Sequence, residues 1–164
     1  MKKIFYTDGS SKGNPGPGSY GVAEYDIKSN IIFYIYSEYF KNVTNNQMEL
    51  KAILHVIKLT AADKENSYLV YSDSAYAVNS INIWMWSWAK SNWRNSKNEE
   101  VKNIDLVKNL YYLYDNKKTS ICQIHKVKGH LGLDVKGNID AIGNKIADAL
   151  ATDDEIGLNL SLWK

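Results

Sequence analysis

Apolar and polar positions along the 164-residue chain change period several times, and each change marks an element. Ile4-Phe5-Tyr6-Thr7-Asp8 reads as a strand over residues 3–8. It runs into Gly9-Ser10-Ser11-Lys12-Gly13-Asn14-Pro15-Gly16-Pro17-Gly18, a stretch made almost wholly of turn formers. Further strands over residues 20–27 and 31–39 complete an antiparallel meander. Residues 46–63 then take helical spacing, with Leu50, Ile53, Leu54, Ile57 and Ala61 on one face and Thr44 or Asn45 placed to cap it. Tyr68-Leu69-Val70-Tyr71-Ser72 is apolar without clean alternation, the pattern of a strand buried on both faces. Short helices over residues 75–81 and 83–93, a helix over 104–114, a strand over 120–127 and a last helix over 144–151 follow. A meander and then alternating helix and strand predict an α/β fold, a mixed sheet covered by helices.

Composition narrows the class. The length suits one domain, with a core over residues 3–151 and a tail over 152–164 whose Trp163 can pack back. The single cysteine, Cys122, excludes an internal disulfide framework and a cysteine-based zinc site. Its setting, Ile121-Cys122-Gln123-Ile124, is that of a buried strand. No signal-peptide pattern and no membrane-length apolar stretch occur, so a soluble cytoplasmic protein without membrane contact is expected. A net charge of +2 does not announce a nucleic-acid partner. Distribution says more: Lys90, Arg94, Lys97 and Lys102 surround a tryptophan-rich stretch. Arg94 is the only arginine, so bidentate readout of base edges is nearly absent and a reader of phosphate backbone is favoured.

Four acids stand in recognisable settings. Asp8 closes the first strand. Glu49 lies in Thr44-Asn45-Asn46-Gln47-Met48-Glu49-Leu50, Asp73 follows Tyr71-Ser72, and Asp148 lies in Gly143-Asn144-Lys145-Ile146-Ala147-Asp148-Ala149-Leu150-Ala151. Taken singly, each is an ordinary surface carboxylate, three of them near helix N-termini where negative charge is favoured anyway. Carboxylates at strand ends and helix starts can also converge on one sheet edge. Converged carboxylates repel and are held together by a hard divalent cation. A metal–carboxylate site that meets nucleic acid predicts phosphodiester chemistry.

The opening strand with its Asn-Pro-Gly-Pro-Gly turn, the Thr-Asn-Asn-x-x-Glu-Leu helix start, the Ser-Asp-Ser and the Gly-His before the last Asp occur in one order over about residues 3–151. In that order they resemble the type 1 ribonuclease H family, in its standalone form with a basic protrusion and without an accessory hybrid-binding domain. The resemblance implies a ribonuclease H-like fold with a five-stranded mixed sheet. It implies an endonuclease that hydrolyses the RNA strand of an RNA–DNA hybrid, acts as a monomer, and leaves 5′-phosphate and 3′-hydroxyl ends by a two-metal-ion mechanism. The ions would be two Mg2+, with Mn2+ able to substitute, held by Asp8, Glu49, Asp73 and Asp148.

The same resemblance makes His130, in Val127-Lys128-Gly129-His130, a loop histidine that relays a proton or helps product leave. It assigns the RNA strand to the turn over residues 9–14, with Gly9, Ser10 and Asn14, and to Asn45 and Asn46. It assigns the DNA strand to Trp84 and Trp88, four apart on one helical face, and to Lys90 and Arg94 of the basic loop. Thr44 and Asn103 match a pocket for a DNA phosphate, although Asn42 stands where the family often has arginine. Ala75 stands where it often has glutamine or methionine. Trp93 is assigned to the core, Trp86 stays open between core and site, and His55 and His125 are structural.

The stretch over residues 131–143 is longer than the family's usual loop and offers Asp140 as a rival fourth ligand. Spacing from His130 favours Asp140. Local chemistry favours Asp148, because Asn144 can cap its helix and Gly143 separates Asp140 from it. Two other functions compete: the ribonuclease H module of a reverse transcriptase, and a hybrid-binding protein without catalysis. The initial Met1 and the missing polymerase segment count against the first. The intact Asp8, Glu49 and Asp73 count against the second.

Overall fold

A computed structural model describes residues 2–26, 31–63, 65–116 and 122–127. Strands β1 (Lys2–Ser11), β2 (Gly16–Asp26) and β3 (Ile31–Val43) form the antiparallel meander. On its other side β1 pairs in parallel with β4 (Ser67–Ser72), and β4 pairs in parallel with β5 (Cys122–Lys126). The order β3-β2-β1-β4-β5 is the expected five-stranded mixed sheet with helices. It makes β1 central, at the seam between the antiparallel and parallel halves.

The meander reaches further than its sequence pattern. β1 does not stop at Asp8: Gly9 pairs with Tyr20, Ser10 with Ser19 and Ser11 with Gly18. The expected turn over residues 9–14 is therefore half strand, because small residues on both sides keep the ladder intact. The connection itself closes with the Lys12 N–H donating to the Pro17 carbonyl at 2.7 Å. β3 continues past Tyr39 to Val43 and so ends against the next helix.

That helix, α1 (Asn45–Leu59), starts at a capping box. The Gln47 N–H donates to Thr44 Oγ1 at 3.2 Å, and the Thr44 N–H donates to Gln47 Oε1 at 2.9 Å. The helix stops short of the expected residue 63. Thr60 turns its hydroxyl back to the Val56 carbonyl, at 2.8 Å, and leaves Ala61 beyond the end rather than on the core face. α1 lies across β1 and β2 and beneath α4 (Ile104–Asn116), so it is buried on more than one side. Ile53 and Ile57 are wholly buried in a core shared with Phe5, Val22, Val70 and Leu110. Each such side chain contributes about 1.5–3 kcal/mol relative to an exposed one.

β4 corrects one expectation. Tyr68, Val70 and Ser72 are buried, whereas Leu69 and Tyr71 are only half-buried among the described residues, so the strand alternates after all. Cys122 is buried as expected, and its carbonyl accepts from the Tyr114 hydroxyl at 2.9 Å.

The two short helices expected over residues 75–93 are one continuous run. It passes from α2 (Ala75–Asn79) through a π turn (Ser80–Trp84) into α3 (Met85–Lys90). The wider turn keeps Ile81 and Met85 both wholly buried. The run ends at Lys90, not residue 93, because Asn92 and Trp93 take left-handed backbone with φ of 54° and 60°. Trp93 belongs to the core, as expected, and Trp86 packs against it with its indole N–H on the Ile81 carbonyl at 3.0 Å. The expected helix over residues 144–151 lies outside the described residues.

Candidate active site

The parallel pairing of β1 and β4 ends with Thr7 opposite Ser72. Asp8 and Asp73 are the next residues of the two strands, so the ladder itself delivers both carboxylates to the carboxyl ends of neighbouring parallel strands. Such ends, where the sheet's topology changes direction, are where open α/β sheets bind ligands. Asp73 stands just ahead of α2, whose cap is Ser74 Oγ accepting from the Ala77 N–H at 3.1 Å.

The third carboxylate comes from α1. Gly9 faces the backbone of Met48 and Glu49 so closely that a Cβ at this position would overlap both. Glycine here is thus the condition for α1 to approach β1 and bring Glu49 over its end. Carboxylate oxygens of Asp8, Glu49 and Asp73 lie within 4.8 Å of one another. Asp8 and Glu49 are each only 4% exposed. The Gly9 N–H donates to Asp8 Oδ1 at 3.0 Å and orients that carboxylate. The helix dipole acts within the first turn, and Glu49 lies beyond it, so the dipole does not account for this acid. An oxygen-only donor set of this spacing, two-thirds buried, fits a hard divalent cation such as magnesium.

The other candidates sort by place. His130, Asp148 and the rival Asp140 lie outside the described residues. On the proposed RNA side, Asn14 and Asn45 are joined, with the Asn45 N–H donating to Asn14 Oδ1 at 3.2 Å. Asn45 and Asn46 are exposed in the first turn of α1, beside the acids, and Ser10 is half-buried on β1. Thr44 is committed to capping α1.

On the proposed DNA side, the rings of Trp84 and Trp88 lie 5.9 Å apart, as expected for neighbours on one face. Trp84 is exposed and Trp88 half-buried. The basic loop beyond Lys90 is tied into a small hairpin by a bridge between Arg94 and Glu100. Arg94 also donates to the Asn98 carbonyl at 3.0 Å, and Lys90 is exposed. Asn103 enters α4 with a left-handed φ of 58° and donates its amide to the Tyr76 hydroxyl at 3.0 Å. Tyr76 escaped the sequence reading. Its signal was spacing, eight residues before Trp84 as Trp84 is four before Trp88.

Neither described histidine joins the acids. His55 stacks on Tyr36 at 4.1 Å and meets the Tyr20 hydroxyl at 3.2 Å, while His125 packs on Tyr71 at 5.9 Å. Burial lowers the pKa of His55 and raises that of Tyr20.

A mixed sheet with clustered carboxylates at the ends of its central parallel strands defines a class of α/β protein equipped to hold divalent cations at a sheet edge. Comparison with known proteins makes this specific. The family model described as RNase H matches residues 1–155. A Ribonuclease H of Lachnoclostridium phytofermentans is 39% identical over 162 residues, covering 95% of this chain and 99% of the relative. A Ribonuclease H of Caldicellulosiruptor saccharolyticus is 41% identical over 137 residues, covering 79% of this chain and 86% of the relative. Among solved structures, the PFV RNase H domain superposes with a TM-score of 0.78 at 26% identity, covering 92% of each chain. The chain belongs to the ribonuclease H family and is an endoribonuclease of that family.

Proposed function

We propose that the chain hydrolyses the RNA strand of RNA–DNA hybrids by a two-magnesium mechanism, with Asp8, Glu49 and Asp73 as metal ligands. The observation that carries this reading is the convergence of those three carboxylates within 4.8 Å. Asp148 is the proposed fourth ligand and His130 the proposed proton carrier. When bound, the cations supply charge neutralisation at the scissile phosphate and alignment for in-line displacement. The chain's own groups do the rest. Asp8 is oriented by the Gly9 N–H, and Glu49 is fixed by the packing of α1 on Gly9. Water adds to phosphorus as the bond from phosphorus to the 3′ oxygen breaks. That oxygen takes a proton, so the products carry a 5′-phosphate and a 3′-hydroxyl.

Strand choice follows from two surfaces. Exposed Asn45 and Asn46 can hydrogen-bond 2′-hydroxyls of RNA, the group that separates RNA from DNA. The exposed Trp84 and half-buried Trp88 offer an apolar wall suited to deoxyribose. Thr44 and Asn103 are proposed to hold a DNA phosphate, and Lys90 and Arg94 to attract the backbone. The full-length match to a bacterial relative favours the standalone form over a polymerase-linked module. We also take the protein to act as a cytoplasmic monomer. The test is a cleavage assay on end-labelled RNA–DNA hybrid, duplex DNA and duplex RNA with and without magnesium. RNA-strand cutting of the hybrid alone, dependent on the ion, is expected. Equal cutting of duplex RNA would overturn the strand-choice reading, and undiminished cutting in excess chelator would overturn the metal assignment.

A further inference from the structure

We infer that Tyr76 is a positioning residue whose hydroxyl sets the amide of Asn103 for a DNA phosphate and couples that contact to the Trp84–Trp88 wall. The inference rests on the proposed phosphate role of Asn103. Three observations carry it. The Asn103 Nδ2 donates to the Tyr76 hydroxyl at 3.0 Å across a sequence gap of 27 residues. The Tyr76 ring lies 6.2 Å from that of Trp84, which lies 5.9 Å from Trp88. Asn103 has a φ of 58° while its carbonyl already accepts the Val107 N–H at 3.0 Å, so backbone and side chain are both held.

The chemistry follows from the amide's inventory. A side-chain NH2 has two N–H bonds, and a phosphate accepts but cannot donate. With one N–H taken by Tyr76, the other points away from it, and the side chain is fixed with nitrogen rather than oxygen toward that direction. Loss of the hydroxyl would let the amide rotate and present its oxygen, which repels phosphate. Tyr76 also sits in the first turn of α2, three residues after Asp73, and its ring braces Trp84. One side chain thus ties two DNA-side contacts to the helix that begins beside the metal ligands. Its effect belongs to hybrid binding, not to the rate of bond cleavage once hybrid is bound.

The test is a double-mutant cycle on the full chain with Tyr76→Phe and Asn103→Ala. It is read by hybrid Kd without divalent ion and by KM and kcat with magnesium. Tyr76→Phe keeps the ring and removes one hydrogen bond. It should raise Kd and KM about three- to tenfold, with kcat kept within about twofold. In the Asn103→Ala background the same change should do almost nothing. Multiplying effects of the two substitutions, or a wild-type Kd for Tyr76→Phe, would overturn the inference while leaving the nuclease reading intact. A wild-type chain that binds hybrid no better than duplex RNA would overturn both. A fall in kcat with unchanged Kd would show that Tyr76 acts through Asp73 instead, against the inference.

Discussion

The acid cluster and the tryptophan arm are neighbours joined through α2, yet they are built in opposite ways. The cluster is a product of regular backbone. Parallel register places Asp8 beside Asp73, and one glycine lets α1 add Glu49. The arm over residues 80–103 departs from regular backbone repeatedly, with a π turn and left-handed residues at Asn92, Trp93, Asn98 and Asn103. Its geometry is held by side chains: Trp86 on the Ile81 carbonyl, Arg94 on the Asn98 carbonyl, Asn103 on Tyr76. The difference teaches where precision is placed. Groups that hold cations sit on the stiffest part of the sheet, while groups that meet a variable duplex sit on a surface adjustable by single contacts.

The sharpest way to break this comparison is to remove charge from the cluster without touching the arm. Asp73→Asn keeps the shape and hydrogen-bonding size of the side chain but loses the charge that holds a cation. Magnesium-dependent cleavage should fall by several orders of magnitude, with hybrid binding largely kept because backbone and groove contacts remain. Near-normal turnover would remove Asp73 from the metal site. Gly9→Ala attacks the same region through packing. The new methyl overlaps the α1 backbone, so stability should fall by about 2–3 kcal/mol and activity with it, as Glu49 is displaced. Unchanged stability in urea unfolding would mean that α1 can retreat from β1 without cost.

The arm should respond by degree. Trp88→Ala should weaken hybrid binding by about 1–3 kcal/mol while leaving kcat nearly unchanged. Titration by fluorescence anisotropy measures this, and an unchanged Kd in a folded variant would return Trp88 to a packing role.

The two regions also differ in how well they could be read in advance. Asp8, Glu49 and Asp73 each closed or opened an element, and residues at element ends are located by hydrophobic period alone. The meander, α1 and α4 were legible for the same reason. Errors gathered where small residues hide regular structure or where side chains override period. Gly9, Ser10 and Ser11 continue β1 although they look like a turn, since the ladder needs only backbone partners. Thr60 ends α1 through its hydroxyl, a choice that apolar spacing does not record. The π turn was invisible because one added residue in a turn leaves the composition unchanged. Tyr76 was passed over because its importance lies in a contact 27 residues away. The choice between Asp148 and Asp140 stays a proposal tested by separate Asp→Asn substitutions and magnesium-dependent cleavage. Loss at Asp140 with near silence at Asp148 would mean that the final helix is misaligned.

Thr44 lies at the junction of the two regions, capping the helix that carries Glu49 and standing as a candidate phosphate ligand. Thr44→Ala should cost about 1 kcal/mol of stability through the lost cap and should also raise KM. Thr44→Ser keeps a hydroxyl able to do both and should restore both. Restored stability with KM still raised would assign the phosphate contact to something other than the hydroxyl.

The smallest expected effect lies further along α1, at a contact that anchors the helix to the sheet edge away from both regions. His55 stacks on Tyr36 and meets the Tyr20 hydroxyl, and that hydroxyl donates to Glu38 Oε2 at 2.8 Å. Tyr36 donates to the same carboxylate oxygen at 3.2 Å. Burial lowers the pKa of His55 below its ordinary 6.5; Glu38 opposes the shift and Lys58 adds to it. The unfolded chain therefore binds a proton at this residue more readily than the folded one. Stability tied to His55 is fully present above the unfolded value, and it is lost as pH falls from about 6.5 through the lower folded value. His55→Gln removes the titration while keeping a polar side chain. Between pH 7.5 and 5 the wild-type Tm should fall more than that of the variant, and above pH 7.5 the two curves should run parallel. Equal slopes throughout would show that the ring takes up its proton in place, with Glu38 compensating for burial. Hybrid affinity at pH 7.5 should be the same in both proteins, because this contact supports α1 without touching either the acids or the arm.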